Sequence, residues 1–239
     1  MQTVLPKVPT RKWKASWIWS DAQSREQNVY YYFRKTFDLP ESAQDPVLFI
    51  TADTRYQLFL NGAFVGRGAP QSQPFFQYYD EYDAGDLLTK GTNCISIIVN
   101  HVGNLSDTRG GLLLEIADAK QAAVVSTDNT WRVTRADAWQ QSTYAYHGNM
   151  ATPYQEFFDA RREPLGWRDA AFDDHAWQRA TVVGGMISDR PPCAGPWSKL
   201  VARDIPFMTN KPVLPERVCH TEESLDLANR SRPTDLAPG

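Results

Sequence analysis

Alternating apolar and polar positions recur along this chain from Val29 onward, and they predict strands. In Val29–Phe37 the rings of Tyr31, Phe33 and Phe37 fall on one face while Arg34 and Thr36 fall on the other. That is the period of two expected of a half-buried strand, and Leu39-Pro40 closes it. Val47–Thr51 is a short strand of the buried type. Tyr56, Leu58 and Leu60 then alternate on one side and run into Asn61-Gly62. Asn-Gly accepts positive φ at both central positions, as the type I′ turn of a tight hairpin requires, so a hairpin is centred on these two residues. Further strands are predicted at Cys94–Val99 after the Lys90-Gly91 turn signal, and at Leu112–Ile116 after Gly110-Gly111. Ala122–Ser126 and Trp131–Thr134 are two more, while the Gly, Pro, Gln and Ser content of residues 67–77 predicts a long loop.

Helical periodicity is nearly absent. Phe172–Trp177 has room for one short turn with Asp173 or Asp174 as N-cap, and no other segment sustains an i, i+3, i+4, i+7 pattern beyond two turns. Short strands with turn signals at intervals of about ten residues predict an all-β sandwich or jelly roll with one or two short helical turns. Residues 1–16, interrupted by Pro6 and Pro9, read as a lead-in, and residues 17–210 as the β-sandwich domain. Residues 211–239, broken by Pro212, Pro215, Pro233 and Pro238 and poor in apolar side chains, read as a flexible or truncated tail.

Composition narrows the function classes. A hydrophobic share of 42%, with eight Trp and ten Tyr, suits a packed globule with most rings in the core. A formal charge of −3 argues against nucleic-acid binding, which needs clustered cations to displace phosphate counterions. There is no run of about 18 apolar residues to span a membrane. Lys7, Arg11, Lys12 and Lys14 are not followed by an apolar h-region, so no signal peptide is evident and a cytoplasmic location is expected. Cys94, Cys193 and Cys219 lack Cys-x-x-Cys spacing and read as reduced thiols. The histidines at 101, 147, 175 and 220 have no i, i+4 spacing for zinc, and no EF-type loop supports calcium, so neither metal nor cofactor is expected. Phosphate-loop, Gly-x-Ser-x-Gly and Rossmann glycine patterns are missing as well.

Five motifs in order resemble the N-terminal β-sandwich region of the α-L-rhamnosidase-type glycoside hydrolases. They begin with Trp17-Ile18-Trp19 and Tyr31-Tyr32-Phe33-Arg34-Lys35-Thr36-Phe37, followed by the hairpin from Ala52-Asp53-Thr54-Arg55-Tyr56 through Leu60-Asn61-Gly62 and Val65-Gly66-Arg67-Gly68. Tyr78-Tyr79-Asp80-Glu81-Tyr82-Asp83 leads on to Leu87-Leu88. The last stretch holds Glu156-Phe157-Phe158-Asp159-Ala160-Arg161, Gly166-Trp167, and Phe172-Asp173-Asp174 with Trp177. The resemblance covers roughly residues 15–208. It implies a galactose-binding-like jelly roll that is not an enzyme on its own, because the family's catalytic carboxylates lie in a later (α/α) barrel. The partners it implies are that barrel and a rhamnose-containing carbohydrate. A free-standing carbohydrate-binding, lectin-like module is the alternative, and self-association through an uncovered face is a further expectation.

Candidate sugar-contacting residues are Tyr79, Asp80, Glu81, Asn100, His101 and Glu156; none is assigned a catalytic role. Glycoside hydrolysis needs two carboxyl groups about 5 Å or about 6.5–9.5 Å apart, a spacing that some pair among 28 acids meets by chance. Asp80, Glu81 and Asp83 form the densest acidic and aromatic cluster; the preferred reading is a solvated turn entering a strand, and the functional alternative a polar loop touching sugar. Asn100-His101 ends a predicted strand, where loops of sandwiches often bind ligands. Glu156 follows a loop and opens the last motif. Asp53 and Arg55 read as a structural ion pair, and the motif Asp159-Ala160-Arg161-Arg162-Glu163 as supplying an arginine that ties a loop to the sheet.

Overall fold

At the Asn61-Gly62 turn the chain does what its local chemistry predicts: φ is +50° at Asn61 and +80° at Gly62, both left-handed. In this computed structural model the described residues are 11–21, 26–39, 41, 43–70, 76–103, 110–120, 122–143, 154–184, 197 and 199–209. The expected tail at 211–239, the first ten residues, Cys193 and Cys219 lie outside them. The chain divides into two compact units, Met1–Asp204 and Ile205–Gly239. Residues 205–209, the described part of the second unit, contain no helix or strand. All that follows concerns the first unit.

Its strands are β1 (Trp17–Trp19), β2 (Val29–Leu39), β3 (Val47–Asp53), β4 (Arg55–Leu60), β5 (Ala63–Gly68) and β6 (Gln77–Asp83). They continue as β7 (Gly91–His101), β8 (Gly111–Ala117), β9 (Ala123–Ser126), β10 (Arg132–Arg135), β11 (Gln178–Arg179), β12 (Thr181–Gly184) and β13 (Leu200–Ala202). Sheet one has the order β12-β1-β8-β3-β6-β13 with β9 also on β8, and sheet two the order β11-β10-β2-β7-β4-β5. Every pairing is antiparallel except β13 on β6. Two short 3-10 turns, Gly85–Leu87 and Ala160–Arg162, complete an all-β sandwich.

Alternation places the core. Tyr31 and Phe33 of β2, Ile95, Ile97 and Val99 of β7, and Tyr56, Leu58 and Leu60 of β4 form one cluster with Leu48, Ile50 and Ala52 of β3 and Leu112, Leu114 and Ile116 of β8. Burying a large apolar side chain of this kind stabilises the fold by about 1.5–3 kcal/mol. The even positions of β2 point the other way, and they are not left to solvent. Tyr32, Phe59 and Ile98 form a second cluster with Trp139, Trp167 and Trp177, so the stretch 154–177 covers the outer face of sheet two. Arg34 on that face is fully buried. Its guanidinium donates to the carbonyls of Trp167 (2.9 Å) and Asp169 (2.8 Å) and to Asp174 Oδ2 (3.2 Å). The arginine that ties this stretch to the sheet is therefore Arg34, reaching out from β2. Of the two motif arginines expected in that role, Arg161 pairs among the described residues only with Asp159 and its side chain is 76% exposed, and Arg162 is exposed as well.

Residues 11–16 are pinned on sheet one. Arg11 pairs with buried Glu115 at 2.5 Å and lies over the Phe49 ring, while Trp13 packs edge-on against Tyr79 and Phe49. Asp80, Glu81 and Asp83, read as a turn entering a strand, lie within the strand β6, between β3 and β13. Tertiary burial of one face of this polar stretch overrides its weak local signal. At 172–177 the chain makes a hydrogen-bonded turn from Asp174 O to Trp177 N, with the Asp173 carboxylate accepting from His175 N.

Burial pushes the phenols of Tyr82 and Tyr30 up to about 12, against 10 for a free phenol. A raised folded-state pKa favours folding below the unfolded value and loses that contribution as pH climbs through the folded one. The urea midpoint is therefore expected to fall between pH 10 and pH 12, and Tyr30→Phe should flatten part of the decline. A midpoint constant across that window would contradict the assignment.

Candidate functional site

Strand register assembles the site. Tyr30 on β2 lies opposite Asn100 on β7, and Asn100 lies opposite Arg55 on β4. Directly opposed residues share a face, so Tyr30, Asn100 and Arg55 form a row across sheet two on its outer side. Trp139 stacks on Tyr30 with centroids 5.4 Å apart and planes 11° apart. Its indole N–H donates to Glu156 Oε1 at 2.7 Å, so Glu156 stands over the same end of the row. The Tyr30 phenol is held up to about 12 by burial and by the Glu156 carboxylate, while Arg55 pulls the other way. Arg55 and Glu156 thus both act on Tyr30.

A ring of hydrogen bonds fixes the surrounding loops. Asn100 Nδ2 donates to Asn28 Oδ1 at 3.2 Å, Asn28 Nδ2 to Thr143 Oγ1, and Thr143 Oγ1 to Gln155 O at 2.7 Å. Gln141 Oε1 accepts from Tyr30 N at 2.6 Å. Arg55 is exposed and makes no ion pair among the described residues. Asp53, its expected partner, instead faces His101 Nδ1 at 3.3 Å and accepts from Thr54 Oγ1 at 2.9 Å. The row therefore presents a free donor fork, a carboxylate and a phenol, while the Asn100 carboxamide is buried between them and already donates to Asn28. That set suits hydrogen bonding to vicinal hydroxyls.

Of the six candidates, Asn100 and Glu156 meet around Tyr30. His101, one residue further on, points to the opposite face and is buried between Asp53 and the edge of Trp19, 5.8 Å away. Tyr79, Asp80 and Glu81 lie in sheet one. Tyr79 packs under Trp13, Asp80 is fully buried between Arg203 Nη1 (3.1 Å) and the Tyr56 hydroxyl, and Glu81 is exposed. Two further buried or half-buried acids are tied to bases: Glu115 to Arg11, and Asp174 to Arg34 and, at 3.8 Å, to Arg132. Among the described residues no three of His, Cys, Asp or Glu converge as metal ligands. Sequence reasoning passed over Tyr30, Arg55 and Trp139 as contacts, because their convergence depends on the β2-β7-β4 register. The one local signal was the ring content of Val29–Phe33.

Residues 41–207 match the family described as α-L-rhamnosidase N-terminal domain. An α-L-rhamnosidase of Formosa agariphila is 28% identical over 193 residues, which is 70% of this chain and 20% of that protein. One of Alteromonas sp. is 28% identical over 191 residues, 72% of this chain and 20% of that protein. Among solved structures, a GH78 family rhamnosidase of Bacillus sp. GL1 superposes with a TM-score of 0.71 at 38% identity, over 83% of this chain and 20% of that one. A lectin of Pleurotus ostreatus shares the fold at a TM-score of 0.50 and 21% identity, over 86% of this chain and 48% of that one. The chain spans about a fifth of the length of the curated relatives it matches.

Proposed function

Since the chain belongs to the α-L-rhamnosidase N-terminal domain family, we propose that it is the non-catalytic β-sandwich of an α-L-rhamnosidase-like glycosidase. It supports or bounds a sugar site completed by a catalytic barrel that these 239 residues do not contain. The observation that carries this reading is the extent of the match: the likeness fills most of this chain and only 20% of a 38% identical rhamnosidase. The row of Tyr30, Asn100, Arg55 and Glu156 supplies hydroxyl-binding groups without a nucleophile and base in contact, which fits a bounding wall. A second reading, a free-standing lectin-like module, is supported by the fact that all four groups come from one chain.

Titration with L-rhamnose, with D-glucose as control, separates the two readings at this row. Trp139 lies on Tyr30, so tryptophan fluorescence reports on it. The bounding role predicts that Arg55→Ala and Glu156→Gln leave the response of the isolated chain unchanged. A rhamnose-selective signal weakened at least ~10-fold by Arg55→Ala would favour the lectin reading, since a lost hydrogen bond to a charged group costs about 1.5–3 kcal/mol.

A further inference from the structure

The chain crosses from sheet two to sheet one between β11 and β12, and a cleft of about 630 Å³ opens beside that crossing. One wall comes from Tyr31 of β2 with Thr134 and Arg135 of β10. The other comes from Ser20 and Asp21, which follow β1, and Gln178 of β11 adjoins both. Small-ligand pockets typically measure about 300–1,000 Å³, so there is room for one or two sugar rings. This cleft differs from the usual pocket in being lined by hydroxyls, an amide and an ion pair.

Those groups are held in position. Arg135 Nη2 donates to Glu26 Oε1 at 2.5 Å, the Tyr31 hydroxyl to Glu26 Oε2 at 3.3 Å, and Gln178 Nε2 to Ser20 O at 2.9 Å. Arg135 Nε is buried without a hydrogen-bond partner, and Ser20 Oγ is buried beside the Tyr31 hydroxyl, its one neighbour able to bond it. An unsatisfied buried donor such as Arg135 Nε is uncommon in native interiors, and a hydroxyl-rich ligand supplies it a partner after a small side-chain rotation. Charge selects a neutral ligand: the guanidinium is already paired with Glu26, and Asp21 adds a negative charge to the lining. We propose that this cleft binds a neutral mono- or disaccharide, held by Arg135, Gln178 and the Tyr31 hydroxyl, which strand register places on one face. It is separate from the row around Tyr30, because Tyr31 points to the opposite face of β2. Naming a rhamnosyl sugar as the ligand rests on the function proposed above; the cleft itself does not.

Calorimetric titration of the full chain with L-rhamnose and a rhamnosyl disaccharide tests the site, using Arg135→Gln, Gln178→Ala and Arg161→Ala. Arg135 and Glu26 are 39% and 40% exposed in their side chains, so these variants should fold normally, which circular dichroism checks. Expected is saturable binding weakened at least ~10-fold by Arg135→Gln and by Gln178→Ala and unchanged by Arg161→Ala, at an exposed arginine outside both the cleft and the row. Binding that ignores both cleft substitutions, or no saturable binding, overturns the cleft. Either result leaves the proposed ancillary role intact, because that role is judged by turnover.

Discussion

Replacing Arg34 with alanine is expected to destabilise the domain by about 3–5 kcal/mol, the range for breaking a buried, hydrogen-bonded charge pair. The side chain is fully buried on the outer face of sheet two, and its three donors hold Trp167, Asp169 and Asp174. Alanine leaves the Asp169 carbonyl without its donor, the Trp167 carbonyl with only Ser96 Oγ at 3.4 Å, and Asp174 with only the more distant Arg132, 3.8 Å away. It also loosens the cover over Tyr32, Phe59 and Trp167, which depends on the same stretch. Arg34→Lys should fall between native and alanine, because an ammonium keeps the charge but lacks the planar fork that reaches three acceptors at once. Urea unfolding followed by tryptophan fluorescence measures both variants. A loss below about 1 kcal/mol for alanine, typical of an exposed pair, would show that the stretch 154–177 is held by its aromatics alone.

The second large effect is expected at Asp80. Its carboxylate is fully buried, accepts from the Tyr56 hydroxyl, and pairs with Arg203 at 3.1 Å beside the edge strand β13. Asp80→Ala removes the carboxylate from both and should cost about 3–5 kcal/mol. Asp80→Asn should cost clearly less, and the reason is electrostatic. Burial pushes the Asp80 carboxyl above its usual 3.8, outweighing the Tyr56 and Arg203 contacts that pull it down. The folded state therefore holds this proton more tightly than the unfolded chain does. Its stabilising contribution is complete below the unfolded pKa and disappears as pH rises through the folded one. At neutral pH the ionised carboxylate carries a desolvation cost that asparagine escapes. As pH is lowered through the folded-state pKa, the native protein should gain stability relative to Asp80→Asn. Urea midpoints of the pair measured from pH 7 downward give the sign, and a gap moving the other way would show the ion pair outweighing burial.

What could be read from the chain follows from which interactions are local. The hairpin was legible because Asn61-Gly62 carries its own turn geometry, and β2 and β7 because Tyr31, Phe33, Ile95 and Ile97 alternate toward one core. Strand β6 was not: Asp80 is buried in it only because Arg203, 123 residues away, and Tyr56 satisfy the carboxylate. Arg34 was assigned to a polar face by the same alternation that correctly placed Phe33. That face is polar in sequence and buried in fact, covered by a stretch more than a hundred residues later. Asn100 and Glu156 could be singled out one by one. Their meeting around Tyr30 depends on strand register and on the Trp139 indole, neither of which has a sequence signature.

Whether this sandwich is an ancillary part of a glycosidase or a catalyst is decided by assaying the purified chain against an aryl α-L-rhamnoside. No release of the phenol above the buffer rate, at any protein concentration used, is the predicted result. Hydrolysis that persists at constant specific activity through re-purification would contradict it and require two catalytic carboxyl groups within this chain.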